Sequence, residues 1–147
     1  MIILRPMAMQ ELIDKYRGKG LKMTPQRLAV LNFLDGNTDH PTADEIFKAV
    51  KATYPTVSLA TIYNTIQTLQ DMGELQAVTI NPERKHFDPN TAPHHHAICT
   101  KCKRIVDIFE DYSALLTLPA EIHATFNITG NHVDFYGECV NCQSSKH

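Results

Sequence analysis

Ser58-Leu-Ala-Thr-Ile-Tyr-Asn-Thr-Ile-Gln-Thr-Leu69 carries two patterns at once. Ile62, Ile66 and Leu69 fall at i, i+4 and i+7, the stripe that a helix buries. Ser58 stands just before that stripe as an N-cap. The opposite side of the same wheel carries Ala60, Tyr63, Asn64 and Gln67. Amide side chains pair with adenine edges, and aromatic or methyl groups pack on thymine methyls, so such a face suits a helix that reads a major groove. A merely solvated polar face looks the same, and the neighbouring elements decide between the two.

Three helices are expected upstream. The first runs from about Ala8 to Arg17 and stops at Gly18 and Gly20. The second begins with Thr24 as N-cap and Pro25 in the first helical position, where a missing N–H costs nothing, and has Leu28, Val30, Leu31 and Leu34 as its core face. The third opens with the capping box Thr42-Ala-Asp-Glu45 and buries Ile46, Phe47 and Val50. Downstream, Leu75–Ile80 alternates like a strand, Asn81-Pro-Glu-Arg84 is a turn, and Lys85–Phe87 returns. Short helices followed by a hairpin predict a winged helix-turn-helix.

Beyond Phe87 the composition changes. Asp88-Pro-Asn-Thr-Ala-Pro93 reads as a loop, and the remainder of the chain as a smaller α/β unit. That unit has strands expected at Arg104–Phe109, Phe126–Ile128 and Val133–Gly137, and a helix within Ser113–Thr125. The fold class is therefore α+β: a winged-helix domain over 1–87, a hinge over 88–93 and a second domain over 94–147.

The bulk numbers are those of an ordinary globular protein of 147 residues. No apolar run reaches the ~18 residues of a membrane span, and the N-terminus does not read as a secretory signal, so a cytoplasmic protein with no membrane partner is expected. The net charge of −2 argues against nucleic acid, but its distribution does not. Lys15, Arg17, Lys19, Lys22 and Arg27 lie in a stretch with no acidic residue, whereas from His86 onward four Lys/Arg face seven Asp/Glu. A local basic cluster can contact phosphates; it can equally be a solvated face.

All four cysteines occur as CxxC pairs, Cys99/Cys102 and Cys139/Cys142. Each pair can offer two thiolates to one ion from a tight turn, and two such knuckles complete a tetrahedral S4 site suited to structural zinc. A disulfide framework fits poorly with a reducing compartment, and a redox motif would leave one pair unexplained. Just before the first pair stands His94-His95-His96. In an extended segment His94 and His96 share a face and His95 takes the other. With Asp88 upstream and Asp107 downstream they make a mixed N/O donor set that accepts Fe(II), Mn(II) or Zn(II). A metallohydrolase would also need a general base and a substrate pocket, which no motif supplies, so no enzyme is expected.

Taken together, Met23-Thr-Pro-Gln-Arg27, His40-Pro-Thr-Ala-Asp44, Ser58–Thr65, Phe87-Asp88, His94–Cys99 with Cys102, and Tyr136-Gly137 before Cys139-x-x-Cys142 resemble the ferric-uptake-regulator (Fur) family of bacterial repressors. The resemblance implies a homodimer that binds palindromic operators in double-stranded DNA when a regulatory metal is loaded. It implies His40, Asp88, His94, His96 and Asp107 as ligands of a regulatory Fe(II) or Mn(II). It also implies DNA contacts from Ser58, Ala60, Thr61, Tyr63, Asn64 and Gln67, with Arg27 and Lys22 on phosphates. One ion gripping both domains would link metal occupancy to DNA affinity.

Asp107, eight residues past Cys99, and Asn64 after Tyr63 resemble the peroxide-responsive PerR branch more than the iron sensors. That likeness implies Fe(II)-catalysed oxidation of a ligand histidine, with His40 and His94 nominated, and then release of metal and DNA. The alternative is an iron- or zinc-responsive Fur/Zur-type repressor. A further metal site of many iron sensors corresponds here to Pro93, His95 and Ala114, with His132 one residue out of register, which leaves His95 and His132 open as ligands.

Overall fold

The computed structural model describes residues 7–81 and 83–144. Pro82 of the expected wing turn and the two chain ends lie outside the described residues. Among the described residues, 7–91 and 92–144 form two compact units.

The first unit begins with four helices: α1 (Met9–Gly18), α2 (Pro25–Leu34), α3 (Ala43–Thr53) and α4 (Leu59–Asp71). Their starts are dictated by local chemistry. Thr24, Thr42 and Ser58 are all extended, and their side-chain oxygens accept from the N–H of Arg27, Glu45 and Thr61 at 3.3, 3.3 and 3.1 Å. Each cap satisfies one of the helix's orphan donors and stabilises it by roughly 1 kcal/mol. The expected stripes are buried: Val30, Leu31 and Leu34 from α2, Ile46 and Val50 from α3, Ile62, Ile66 and Leu69 from α4. Leu28 and Phe47 pack against this core half-buried. Thr65 is also buried on α4, and its hydroxyl donates to the Thr61 carbonyl at 2.8 Å.

The wing comes next as an antiparallel pair, β1 (Gln76–Asn81) and β2 (Arg84–Asp88), in register from Gln76↔Asp88 to Asn81↔Arg84 with an irregularity after Val78. It is pinned back onto the helical unit just before α3. Thr42 bridges to His86, Phe87 N–H donates to the Pro41 carbonyl at 2.8 Å, and the His86 Nδ1–H donates to the His40 carbonyl at 2.7 Å.

The second unit is built on β3 (His95–Cys99) between β4 (Ile105–Ile108, antiparallel) and β5 (Asp134–Gly137, parallel). The helix expected within Ser113–Thr125 is a 3₁₀ turn, Ser113–Leu115, and a short α5, Ala120–Thr125, which starts after Pro119. Residues 140–144 form α6 (Val140–Ser144). Phe126–Ile128, expected as a strand, is not one; among the described residues no strand pairs with the outer edge of β5. Among the described residues this segment pairs with no strand, and Phe126 is 63% exposed.

Candidate metal centres and reading helix

Cys99 ends β3 and Cys102 lies just beyond it across a tight turn. The Lys103 N–H closes that turn onto the Cys99 carbonyl at 3.0 Å, with Lys103 itself at φ 66°. The second pair is brought alongside by the β3–β5 ladder, which sets Cys99 opposite Gly137. The sulfurs of Cys99 and Cys142 lie 3.7 Å apart and those of Cys102 and Cys139 3.8 Å apart, with all four within 4.8 Å of one another. Zinc–sulfur bonds of about 2.3 Å in a tetrahedron place the sulfurs about 3.8 Å apart. The four side chains therefore fit a zinc ion.

Their electrostatics point the same way. The Cys139 backbone N–H donates to Cys99 Sγ at 3.4 Å; this bond and a backbone bond from Cys102 hold the Cys99 thiol down at about 5. Cys142, with the sulfurs of Cys139 and Cys99 against it, is pushed up to about 12. Neighbouring thiolates repel, and a divalent cation among them is what lets all four ionise.

The histidine cluster is arranged as the strand alternation requires. His96 faces Asp107 across the β3–β4 ladder. His94 Nε2 and His96 Nε2 both approach Asp107 Oδ1, at 3.2 and 3.3 Å, and both imidazoles are buried. The His94 Nδ1 lies 2.7 Å from the Ala92 carbonyl. A carbonyl only accepts, so Nδ1 carries the proton, and Nε2 is the nitrogen left to give its lone pair to a cation shared with Asp107. Metal-ligating histidines are oriented by just such a bond on the other nitrogen. His95 takes the opposite side: its Nδ1 accepts from the Val133 N–H at 3.0 Å, and its ring packs on Tyr112.

A second pair sits in the first unit. His40 and Asp88, 48 residues apart, meet because β2 is pinned to the segment before α3, which leaves His40 Nε2 3.3 Å from Asp88 Oδ2. Both side chains are about 1% exposed. Asp88 Oδ1 accepts from the Asn90 N–H at 2.9 Å, which fixes the carboxylate. His40 is held at φ 54°, a left-handed conformation that costs a β-carbon-bearing residue energy and that clusters at functional sites.

On α4 the face opposite the core is open to solvent. Ala60, Tyr63, Asn64 and Gln67 are all exposed, Tyr63 by 51%. Ser58 and Thr61 are engaged with each other at the cap, and Gln67 Nε2 donates to Asp71 at 2.9 Å. The basic cluster is divided. Lys15 and Lys19 both pair with Glu74, while Arg27 Nη1 donates to the Lys22 carbonyl at 2.8 Å, which ties together two of the three that remain, Arg17 being the third. Partial burial raises the Glu74 carboxyl, but the hydrogen bonds from Lys19 and Lys15 outweigh it and hold it below the usual carboxylate range.

The model of the ferric uptake regulator family matches residues 18–136, which takes in α2–α5, the wing, β3, β4 and β5 as far as Tyr136. This chain belongs to the ferric uptake regulator family. It is 36% identical over 135 residues to a peroxide-responsive repressor, PerR, of Staphylococcus aureus, covering 92% of this chain and 91% of the relative. Among solved structures it resembles the peroxide stress regulator of Campylobacter jejuni at 29% identity and a TM-score of 0.64, covering 92% of this chain and all of the other. It also shares the fold of the Helicobacter pylori ferric uptake regulator at 17% identity, with a TM-score of 0.74 and both chains fully covered.

In this family member one residue beside the centre escapes sequence reasoning. Asp134 opens β5, with Oδ1 2.7 Å from His132 Nε2 and 3.5 Å from His96 Nδ1. The spacing His132-x-Asp134 is a signal, but a weak one until β5 is known to lie beside β3.

Proposed function

We propose that this chain is a cytoplasmic, homodimeric, metal-dependent repressor, a regulator and not an enzyme. Its regulatory ion is gripped by His40 and Asp88 from the first unit and by His94, His96 and Asp107 from the second, across a hinge at 88–93. The observation that carries this reading is the Asp107 carboxylate shared by two buried imidazoles at 3.2 and 3.3 Å. A carboxylate and two neutral nitrogens form a hard-to-borderline donor set that Fe(II) or Mn(II) accepts, and the zinc-type site is already supplied by Cys99, Cys102, Cys139 and Cys142. An ion that needs ligands from both units restricts their relative placement, so metal binding and operator binding strengthen each other. The exposed face of α4, led by Tyr63 and Asn64, would enter the major groove, with Lys22 and Arg27 on phosphates. Leu115 and Val140, 77% and 73% exposed, and Phe126 supply the apolar surface that a second copy would cover.

Hydrogen peroxide is the proposed signal, because Asp107 occupies the carboxylate position and the similar S. aureus and C. jejuni proteins are peroxide regulators by name. A bound ferrous ion supplies reduction of peroxide beside its ligands. In net terms one peroxide oxygen adds to a carbon of a ligand imidazole, His40 or His94, and the other leaves as water. The oxidised ring no longer matches the donor set, so the ion and then the DNA are released. The test loads the protein with Fe(II) or Mn(II), measures binding to a palindromic operator, and then adds low peroxide. Release from the iron form alone supports the proposal. Operator binding that depends on metal yet ignores peroxide in both forms would replace it with a sensor of iron or zinc supply.

A further inference from the structure

We propose that His132 Nε2, Asp134 and His96 Nδ1 form a second divalent-cation site of zinc type on the second unit, and that it competes with the His94–His96–Asp107 group for the His96 ring. The site itself stands on the geometry of this one unit; the competition rests on the regulatory role proposed above.

His132 is held like a ligand. Its Nδ1 lies 3.0 Å from the His94 carbonyl, so that nitrogen carries the proton and donates. Nε2 then meets Asp134 Oδ1 at 2.7 Å, where it needs either a second proton or a cation between it and the carboxylate. The His96 ring closes the third side, with its centroid 5.1 Å from that of His132 and Nδ1 3.5 Å from Asp134 Oδ1. The three donor atoms lie within 4.8 Å of one another. Bonds of about 2.0–2.2 Å to nitrogen and oxygen put neighbouring ligands of a tetrahedral zinc about 3.3–3.5 Å apart. The His96–Asp134 separation already matches; the closer His132–Asp134 contact is the hydrogen bond that the ion would replace. Two imidazoles and a carboxylate, completed by water, make a common zinc donor set. The His132 and Asp134 side chains are 48% and 23% exposed, which gives an ion a way in from solvent. His95 is excluded, because its Nδ1 lone pair is used by the Val133 N–H and its other nitrogen then carries the proton.

Tautomerism makes the two sites compete. A neutral imidazole has one lone pair and one N–H. An ion on His96 Nε2 puts the proton on Nδ1, aimed at Asp134, and closes the second site. An ion on Nδ1 puts the proton on Nε2, aimed at Asp107, and removes a ligand from the regulatory group. Excess zinc at His132–Asp134 would therefore weaken the hold on the regulatory ion.

The test uses the full chain with its cysteine-bound zinc retained, titrated with zinc chloride and monitored by two-bond proton–nitrogen correlation of the imidazoles. In Asp107→Asn, the first zinc beyond the cysteine site is expected to shift His132 Nε2 and His96 Nδ1. Adding Asp134→Asn, or His132→Gln as a second variant, should weaken that binding at least tenfold. A His132 Nε2 resonance unmoved at saturating zinc in wild type and Asp107→Asn overturns the site, as does unchanged affinity in both added variants. Manganese released by zinc less readily from His132→Gln than from wild type supports the competition, and equal release contradicts it. Failure of the regulatory reading looks different: operator binding would ignore metal while His132 still responds to zinc.

Discussion

Removing the cysteine-bound ion should unfold the second unit and leave the first standing. The reason lies in how unevenly the apolar core is distributed. The large buried cluster, from Leu12 to Phe87, belongs entirely to the helical unit and its wing. In the second unit the buried apolar side chains, among the described residues, are Ile98, Cys99 and Ile105. Burying two isoleucines contributes about 1.5–3 kcal/mol each. A structural zinc contributes about 10–16 kcal/mol of folding free energy at neutral pH. The sulfur separations of 3.7 and 3.8 Å agree with a tetrahedral ion, so with zinc bound there the larger quantity would dominate. Either a strong chelator or Cys102→Ser should therefore abolish slow amide exchange at Ile98, Val106 and Phe135, while Val30, Ile46 and Ile62 stay protected and the helical circular dichroism persists. Hydrogen exchange read by mass spectrometry or NMR checks this residue by residue. A zinc-free chain that keeps protection in β3–β5, and remains dimeric, would show that the ion is not what holds this unit together.

Three further outcomes are expected. Asp107→Glu lengthens the shared carboxylate by one methylene; peroxide sensitivity, read as the rate of operator release from the iron form, should fall while metal-dependent DNA binding survives, and loss of binding itself would assign Asp107 to metal loading alone. Tyr63→Ala, on an exposed position of α4, should weaken operator binding by about 1–3 kcal/mol in a fluorescence anisotropy titration with little change in Tm; unchanged affinity would remove α4 from the groove. The Glu74 carboxyl is held below its ordinary value of 4.5 in the folded chain, so the stability it adds is present above that pH and is lost as pH falls through the lower, folded value. The stability difference between wild type and Glu74→Gln in urea titrations should therefore shrink on going from pH 6 to below pH 4, and a constant difference would show that the Lys15 and Lys19 pairs contribute nothing.

The features legible in the sequence and those hidden from it divide along physical lines. Features set within one helical turn are legible: the caps at Thr24, Thr42 and Ser58, and the stripe Ile62–Ile66–Leu69, need only local hydrogen bonding and the helical period. The alternation of His94, His95 and His96 is legible for the same reason, since a strand has period two. Features that depend on distant pairing are not. Glu74 takes up Lys15 and Lys19 from more than 50 residues away, which thins the expected phosphate-contacting cluster to Lys22, Arg27 and Arg17. Asp134 acquires its place beside His96 only through the parallel β3–β5 ladder. Phe126–Ile128 has the apolar character of a strand, but among the described residues no strand pairs with it. Resemblance alone joins His40 to Asp88 in the sequence, and the wing's three anchors at Pro41, Thr42 and His86 are the physical cause of their meeting.

Locating the oxidation decides whether the His40, Asp88, His94, His96 and Asp107 group is the switch and the cysteine site the scaffold. The Fe(II)- and Mn(II)-loaded proteins are treated with low peroxide, digested and weighed peptide by peptide. One added oxygen is expected on the peptide containing His40 or His94, in the iron form only and in step with operator release, with all four cysteines unmodified. Oxidation of Cys99, Cys102, Cys139 or Cys142 with both histidine peptides unchanged would contradict it.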